Sequence, residues 1–219
     1  MLSHLDRVLF PDRCEVREII SSQRYVYVIF KNGHSSINVS RLTDPQRIHI
    51  NQQILKLYSI DVIIRNPKDR LLSGINTFIQ HTLRDNPGLD AATVEWFALN
   101  YISLDRHYAS QFVWLLNLAK YLNPDAKLNL LPMSAVVEIT GKNIKPDGVL
   151  QASAALTEKV SSIKNNEMYQ RIDLAIFKCI GQSLTFKELL QNIKTTDPAA
   201  YEYVVEYSQQ ILNPTYVLS

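Results

Sequence analysis

The sequence predicts an α+β protein, in which a small N-terminal antiparallel β-meander of three or four strands packs on a mostly α-helical body. Two observations lead to this prediction. Residues 24–31 are a run of β-favouring residues that ends in Asn32-Gly33, and apolar residues recur at helical spacing from residue 43 onward. The composition, 46% hydrophobic and 20% charged residues, is that of an ordinary globular protein.

The predicted meander consists of short segments separated by turn residues. Its strands are residues 14–20, 24–31 and 35–40, with residues 60–64 as a fourth. Asn32-Gly33 is expected to supply the two positive-φ positions of a type I′ hairpin turn.

The middle strand of the meander is apolar on both faces. Tyr25 and Tyr27 point to one side, and Val26, Val28 and Phe30 point to the other. We therefore expect this strand to be central and covered on both sides, either by a helix of the same chain or by a partner surface.

Helical periodicity and capping residues predict the other elements. Three pairs of residues each indicate the start of a helix. They are Asn66 with Pro67 at the first helical position, Thr185 with Glu188, and Asp197 with Pro198. The predicted helices are residues 44–58, 67–84, 90–101, 104–122, 147–163, 167–180, 184–193 and 197–212, and residues 135–140 are predicted to return to the sheet as a strand.

The order of these elements suggests how the chain divides. A β-rich subdomain with one helix would occupy residues 1–64, and a helical body would occupy residues 65–219. The helical body allows a further division into 65–133 and 146–219, bridged by the strand near 135–140.

Composition and motifs argue against several classes of protein. No apolar run approaches the roughly 20 residues of a membrane helix, and the N-terminus lacks the pattern of a secretory signal, so a cytoplasmic protein, or one in a virion assembled in the cytoplasm, is expected. The two cysteines and five histidines show no metal-ligand spacing, and no nucleophile or phosphate-loop motif is found. We expect no metal, no cofactor and no catalytic residue, although a catalytic site that converges from distant residues stays open.

The last predicted helix is rich in tyrosine and contains no Lys or Arg. Its core stripe leaves Tyr203 and Tyr207 four residues apart on the other face, and Tyr216 follows the helix. Because tyrosine is enriched at protein interfaces, we predict these three residues, with Tyr25 and Tyr27 of the middle strand, as interface candidates.

The function expected from these features is that of a non-catalytic subunit that contacts other proteins in a homo- or hetero-oligomer, for instance in a virion or a secretion-type machine. The alternative is a nucleic-acid-binding accessory factor. Its candidate residues are Arg65, Lys68 and Arg70, in the only segment with a clear basic excess, and its docking module would be the helix-turn-helix-like C-terminal helices. An enzyme without a recognisable motif is the third hypothesis.

Overall fold

The α+β fold is confirmed in a computed structural model of the chain, which describes residues 15–19, 22–29, 31–33, 37, 46–48, 54–100, 109–141, 153–161 and 167–211. The strands within these ranges are β1 Val16–Ile19, β2 Arg24–Tyr27, β3 Gln46–Ile48, β4 Ser59–Ile64, β5 Lys127–Pro132 and β6 Ser183–Leu184. The helices are α1 Pro67–Asp85, α2 Ala91–Asn100, α3 Gln111–Ala119, α4 Ala135–Thr140, α5 Ala154–Ser161, α6 Glu167–Phe177, α7 Phe186–Thr196 and α8 Pro198–Ile211.

The strands form a single mixed sheet in the order β3-β1-β2-β4-β5-β6. As expected for the N-terminal part, β1 pairs antiparallel with β2, and its other neighbour, β3, is also antiparallel. The neighbour of β2 on the other side is β4, which runs parallel to it, so the turn after β2 does not close a hairpin. Strand β5 continues the parallel part, and β6 pairs antiparallel at the far edge.

The predicted type I′ turn is wrong in its details. Positive φ angles fall on Lys31, at 68°, and on Gly33, at 81°, rather than on Asn32 and Gly33. The Asn32 side chain is buried, and its Nδ2 donates to the carbonyl oxygen of Ile63, 2.7 Å away. Asparagine before glycine usually indicates an exposed turn, but here Asn32 connects the segment after β2 to β4 through a buried hydrogen bond.

One predicted strand and one predicted helix are corrected by the structure. The predicted strand 35–40 lies outside the described residues except for Ile37, which is helical and buried. The predicted strand 135–140 is helix α4, and the strand that returns to the sheet is β5. The predicted helix 44–58 contains β3, which takes up an open edge of the sheet beside β1.

The error at 135–140 shows tertiary packing overriding local propensity. The segment is rich in β-branched residues, which favour a strand. However, Ala135, Val136 and Ile139 have helical spacing and pack as one stripe against the sheet. Gly141, at φ 65°, then ends the helix in the left-handed conformation that glycine adopts without strain.

Capping residues located the helix starts correctly. The Asn66 side chain accepts hydrogen bonds from the backbone N–H groups of the first turn of α1. Thr185 and Glu188 form the predicted capping box of α7, and Asp197 Oδ1 accepts from the backbone N of Ala200 over 3.1 Å.

Both faces of the sheet are covered by this chain's own residues. On one face, the fully buried α3 packs with α6, α7 and α8 against Tyr27 and Ile29. On the other face, α4 packs against Val26 and Val28. The central position of β2 is therefore confirmed, and its cover is intramolecular.

The division into residues 1–64 and 65–219 stays a prediction. The largest cluster of buried side chains takes members from both segments, from Val16 to Val204. Within the described ranges, no helix has the length and apolar character needed to cross a bilayer.

Candidate functional site

The structure corrects one of the predicted interface tyrosines. Tyr27 is fully buried, and its hydroxyl donates a 2.9 Å hydrogen bond to the carbonyl oxygen of Trp114, so the side chain is not available to a partner. Tyr25 and Tyr203 are half-buried and pack against the main core. The side chain of Tyr207, and Tyr216 as a whole, lie outside the described residues.

The three predicted nucleic-acid residues do not form one cationic surface. Arg70 is buried, its Nη1 donates to the carbonyl oxygen of Ala109 over 2.5 Å, and burial lowers its pKa to about 10. Arg65 is half-buried and donates from Nη1 to the carbonyl oxygen of Lys31 over 3.0 Å, and burial lowers its pKa. Lys68 is exposed. The prediction for Arg70 is therefore wrong, because a buried guanidinium cannot reach a phosphate backbone.

Arg70 belongs to a buried polar network at the carboxyl ends of β2 and β4. Gln111 connects these strand ends: its Oε1 accepts from Asn32 Nδ2 over 2.6 Å and from the backbone N of Arg65 over 2.9 Å. Asp173 of α6 then caps the start of α3, and burial raises the pKa of its carboxyl group although the charge of Arg70 opposes this shift. This network connects β2, β4, α1, α3 and α6, and its role is structural.

A first candidate surface lies on α2 and the turn before it. Three large apolar side chains there face solvent: Trp96 is 57% exposed, Leu89 49% and Phe97 39%. We call these three residues the α2 surface. Trp96 stands opposite the buried pair Val94 and Ala98, which pack the helix onto the rest of the chain, so the indole must point outward.

The α2 surface is held on a rigid support. The ring of Phe97 stacks on Phe78 of α1 with the ring centroids 6.3 Å apart. Glu95 forms an ion pair with Lys159 of α5, and Asp90 caps the helix by accepting from the backbone N of Thr93 over 2.8 Å. The aromatic side chains are therefore presented by a helix that is fixed at its start and along its flank.

The α2 surface was not predicted from the sequence, although the apolar pattern of α2 indicates it. The helix sequence AATVEWFALN has one charged residue and places apolar side chains on every face. A short helix that is apolar all round is either fully buried or exposes one apolar face, and here Trp96 lies on the exposed face.

A second candidate site is a cavity of about 510 Å³ at the amino ends of β2 and β4, which we call the strand cavity. Its walls include Arg24, Tyr25, Lys56, Tyr58 and Asp61. Arg24 and Tyr25 begin β2, and Asp61 lies in the first half of β4. Lys56 ends the short 3₁₀ turn Ile54–Lys56, and Tyr58 directly precedes β4.

A row of polar side chains forms one wall of the strand cavity. Asp61 Oδ2 accepts from Arg24 Nε over 2.5 Å, and Asp61 Oδ1 accepts from Asn129 Nδ2 over 2.8 Å. Asn129 Nδ2 also donates to Ser59 Oγ, and its Oδ1 accepts from Ser183 Oγ over 2.7 Å. The hydrogen bond and the charge of Asp61 raise the pKa of Arg24.

Metal binding has no candidate within the described part of the chain, where no three His, Cys, Asp or Glu side chains are grouped closely enough to hold an ion. No family model, no curated protein and no solved structure matches this chain.

Proposed function

We propose that this protein is a non-catalytic subunit that binds another protein subunit through the α2 surface. The observation that supports the proposal is the exposure of Trp96, on a helix that also exposes Phe97 and that follows a turn exposing Leu89. Trp is the residue type most enriched among energetically dominant interface residues, and clustered exposed apolar groups are uncommon on proteins that work alone.

The free energy gained by burying Trp96 is large enough for this side chain to anchor an interface. Burial of the exposed part of one Trp side chain, roughly 100–150 Å² of largely apolar area, would contribute about 3 kcal/mol to association. Helix α2 contains no Lys or Arg, and Lys159, which lies beside it, is paired with Glu95. An apolar partner face therefore suits it better than a phosphate backbone.

The apolar faces of the central strand β2 do not support the proposal. The two apolar faces of β2, one reason to expect a partner surface from the sequence, are covered by α3 and α4 of the same chain. The α2 surface takes their place as the supporting feature.

Photocrosslinking from position 96 tests the proposal directly. A benzophenone amino acid at Trp96 is expected to capture one defined protein, either a second copy or a different subunit, when the chain is expressed in its native cells. The same probe at Leu174, which is also exposed but lies on α6, is the matched control and should not capture that protein.

Introduction of a charge on the same surface completes the test. Trp96→Glu should abolish the association measured by sedimentation, while Leu174→Glu should leave it intact. A wild-type chain that sediments as a monomer at the highest attainable concentration and gives no crosslink from position 96 would contradict the proposal.

A further inference from the structure

The strand cavity lies beside the amino-terminal limit of the pairing between two parallel strands. Strands β4 and β5 are in register along all six residues, from Ser59↔Lys127 to Ile64↔Pro132. Strands β2 and β4 are paired at only two positions, Val26↔Asp61 and Tyr27↔Val62. The pairing does not extend amino-terminal to Val26 and Asp61, and side chains from both segments line the cavity there.

The polar wall of the cavity is fixed before any ligand arrives. Asp61 is only 5% exposed in its side chain, and each of its oxygens already accepts a hydrogen bond, one from Arg24 and one from Asn129. Asn129 is in turn held by Ser59 and Ser183. A wall with locked rotamers loses little conformational entropy on binding.

The residues that line the cavity have a small excess of positive charge. Arg24 keeps 30% of its side chain exposed, and Lys56 is exposed. The one acidic residue among the lining residues is Asp61; its ion pair with Arg24 offsets both charges and leaves the charge of Lys56 in excess. The exposed Glu138 accepts a longer hydrogen bond, 3.4 Å, from Arg24 Nη1, and an anionic ligand would compete with it. These groups favour an anion rather than a cation.

An aromatic side chain completes the site. Tyr58 is 75% exposed at the cavity, and the half-buried Tyr25 lies on the opposite strand. A flat ring of a ligand can stack on an exposed tyrosine, and the volume of about 510 Å³ lies within the range of small-molecule pockets.

We infer that the strand cavity binds a small phosphorylated molecule with a flat ring, of the nucleoside monophosphate class. In this arrangement the phosphate contacts Arg24 and Lys56, and the ring packs on Tyr58. The assignment rests on the position and charge of these side chains and is independent of the α2 surface.

Titration of the full chain with adenosine monophosphate, monitored by NMR chemical shifts and calorimetry, tests the inference. Inorganic phosphate and adenosine are titrated separately, because each carries half of the recognised chemistry. The nucleotide should bind at least about tenfold more tightly than either half alone, and its affinity should fall as salt rises.

Two variants at exposed positions locate the site without endangering the fold. Lys56→Gln and Tyr58→Ala should each weaken nucleotide binding by about five- to tenfold. The matched controls are Lys68→Gln, at an exposed lysine in the first turn of α1, and Trp96→Ala on the α2 surface. Both should bind as the wild type does.

Several results would overturn the inference. These are no binding at millimolar nucleotide, adenosine binding as tightly as the nucleotide, or a nucleotide affinity that neither Lys56→Gln nor Tyr58→Ala changes. Because Trp96→Ala leaves the cavity intact, failure here is separable from failure of the proposed protein interface.

Discussion

Asp173 on α6 accepts a 2.9 Å hydrogen bond at its Oδ2 from the backbone N–H of Gln111, so a distant helix caps the first turn of α3. The other oxygen of the carboxylate accepts from Ser110 Oγ over 2.5 Å and from the backbone N of Phe112 over 3.2 Å. One buried side chain thus satisfies donors that α3, the most deeply buried helix described, could not pair with water.

Substitution of this buried cap should be costly. Asp173→Ala leaves the buried N–H of Gln111 without its acceptor, while the N–H of Phe112 keeps its hydrogen bond to Ser110 Oγ. We expect it to lower the free energy of unfolding by about 2–3 kcal/mol. Asp90→Ala removes an exposed cap of the same chemistry at α2 and should cost about 1 kcal/mol or less. Chemical denaturation of both variants measures the difference, and equal losses would contradict the role of burial.

The ion pair between Arg24 and Asp61 should show strong coupling. Arg24→Met leaves a buried carboxylate without its cation and should cost about 1–3 kcal/mol, since Arg24 is partly exposed. In the double variant Arg24→Met/Asp61→Asn no charge remains to be compensated, so part of the loss should be recovered. A double-mutant cycle measures the coupling, and strictly additive losses would show that the pair contributes nothing.

Glu188 should make stability depend on pH in the acid range. Its hydrogen bond with Lys127, and then those with Thr185, lower the pKa of Glu188 to about 2 from an ordinary 4.5. Because the folded pKa is lowered, this contribution is fully present above pH 4.5 and is lost as the pH falls through about 2.

The substitution Glu188→Gln tests this dependence. The variant should lose less stability than the wild type between pH 4.5 and 2, measured by urea unfolding at each pH. Glu202→Gln, at an exposed glutamate of α8, is the control for a simple change of net charge. Parallel curves for wild type and Glu188→Gln would disprove the prediction.

Gly33 should tolerate a methyl group less well than Gly181. Both have positive φ, 81° and 89°, so alanine is strained at either position. At Gly33 an added Cβ would also lie 2.8 Å from Val136 Cγ2, whereas at Gly181 it meets nothing within 4 Å. Thermal unfolding should show a loss of about 1 kcal/mol for Gly181→Ala and about 2–3 kcal/mol for Gly33→Ala. A larger loss at Gly181 would contradict the assigned contact.

Local chemistry made part of this fold predictable from sequence. Asn66, Thr185 and Asp197 start helices for reasons contained within one turn of chain, and the structure places all three as expected. The two apolar faces of β2 likewise required a central strand. Such features depend on near neighbours alone.

The wrong predictions concern residues whose conformation or burial depends on contacts with residues far away in the sequence. Residues 135–140 have strand propensity, but a helix covers the sheet face there. The buried positions of Tyr27 and Arg70 depend on Trp114 and Ala109, far along the chain. The strand cavity depends on where the pairing of β2 with β4 begins, and the α2 surface depends on which side of α2 packs against α1 and α5. Neither can be read from spacing in one segment.

The parallel pairing of β4 with β5 delays completion of the molecule during synthesis. The apolar residues of β4 leave the ribosome long before Lys127–Pro132 can pair with them, and β5 itself waits for Ser183–Leu184. Contacts between such remote segments slow folding and leave the edge of an apolar strand unpaired in the nascent chain. A chaperone that holds β4 until translation passes residue 184 would therefore raise the yield of native protein.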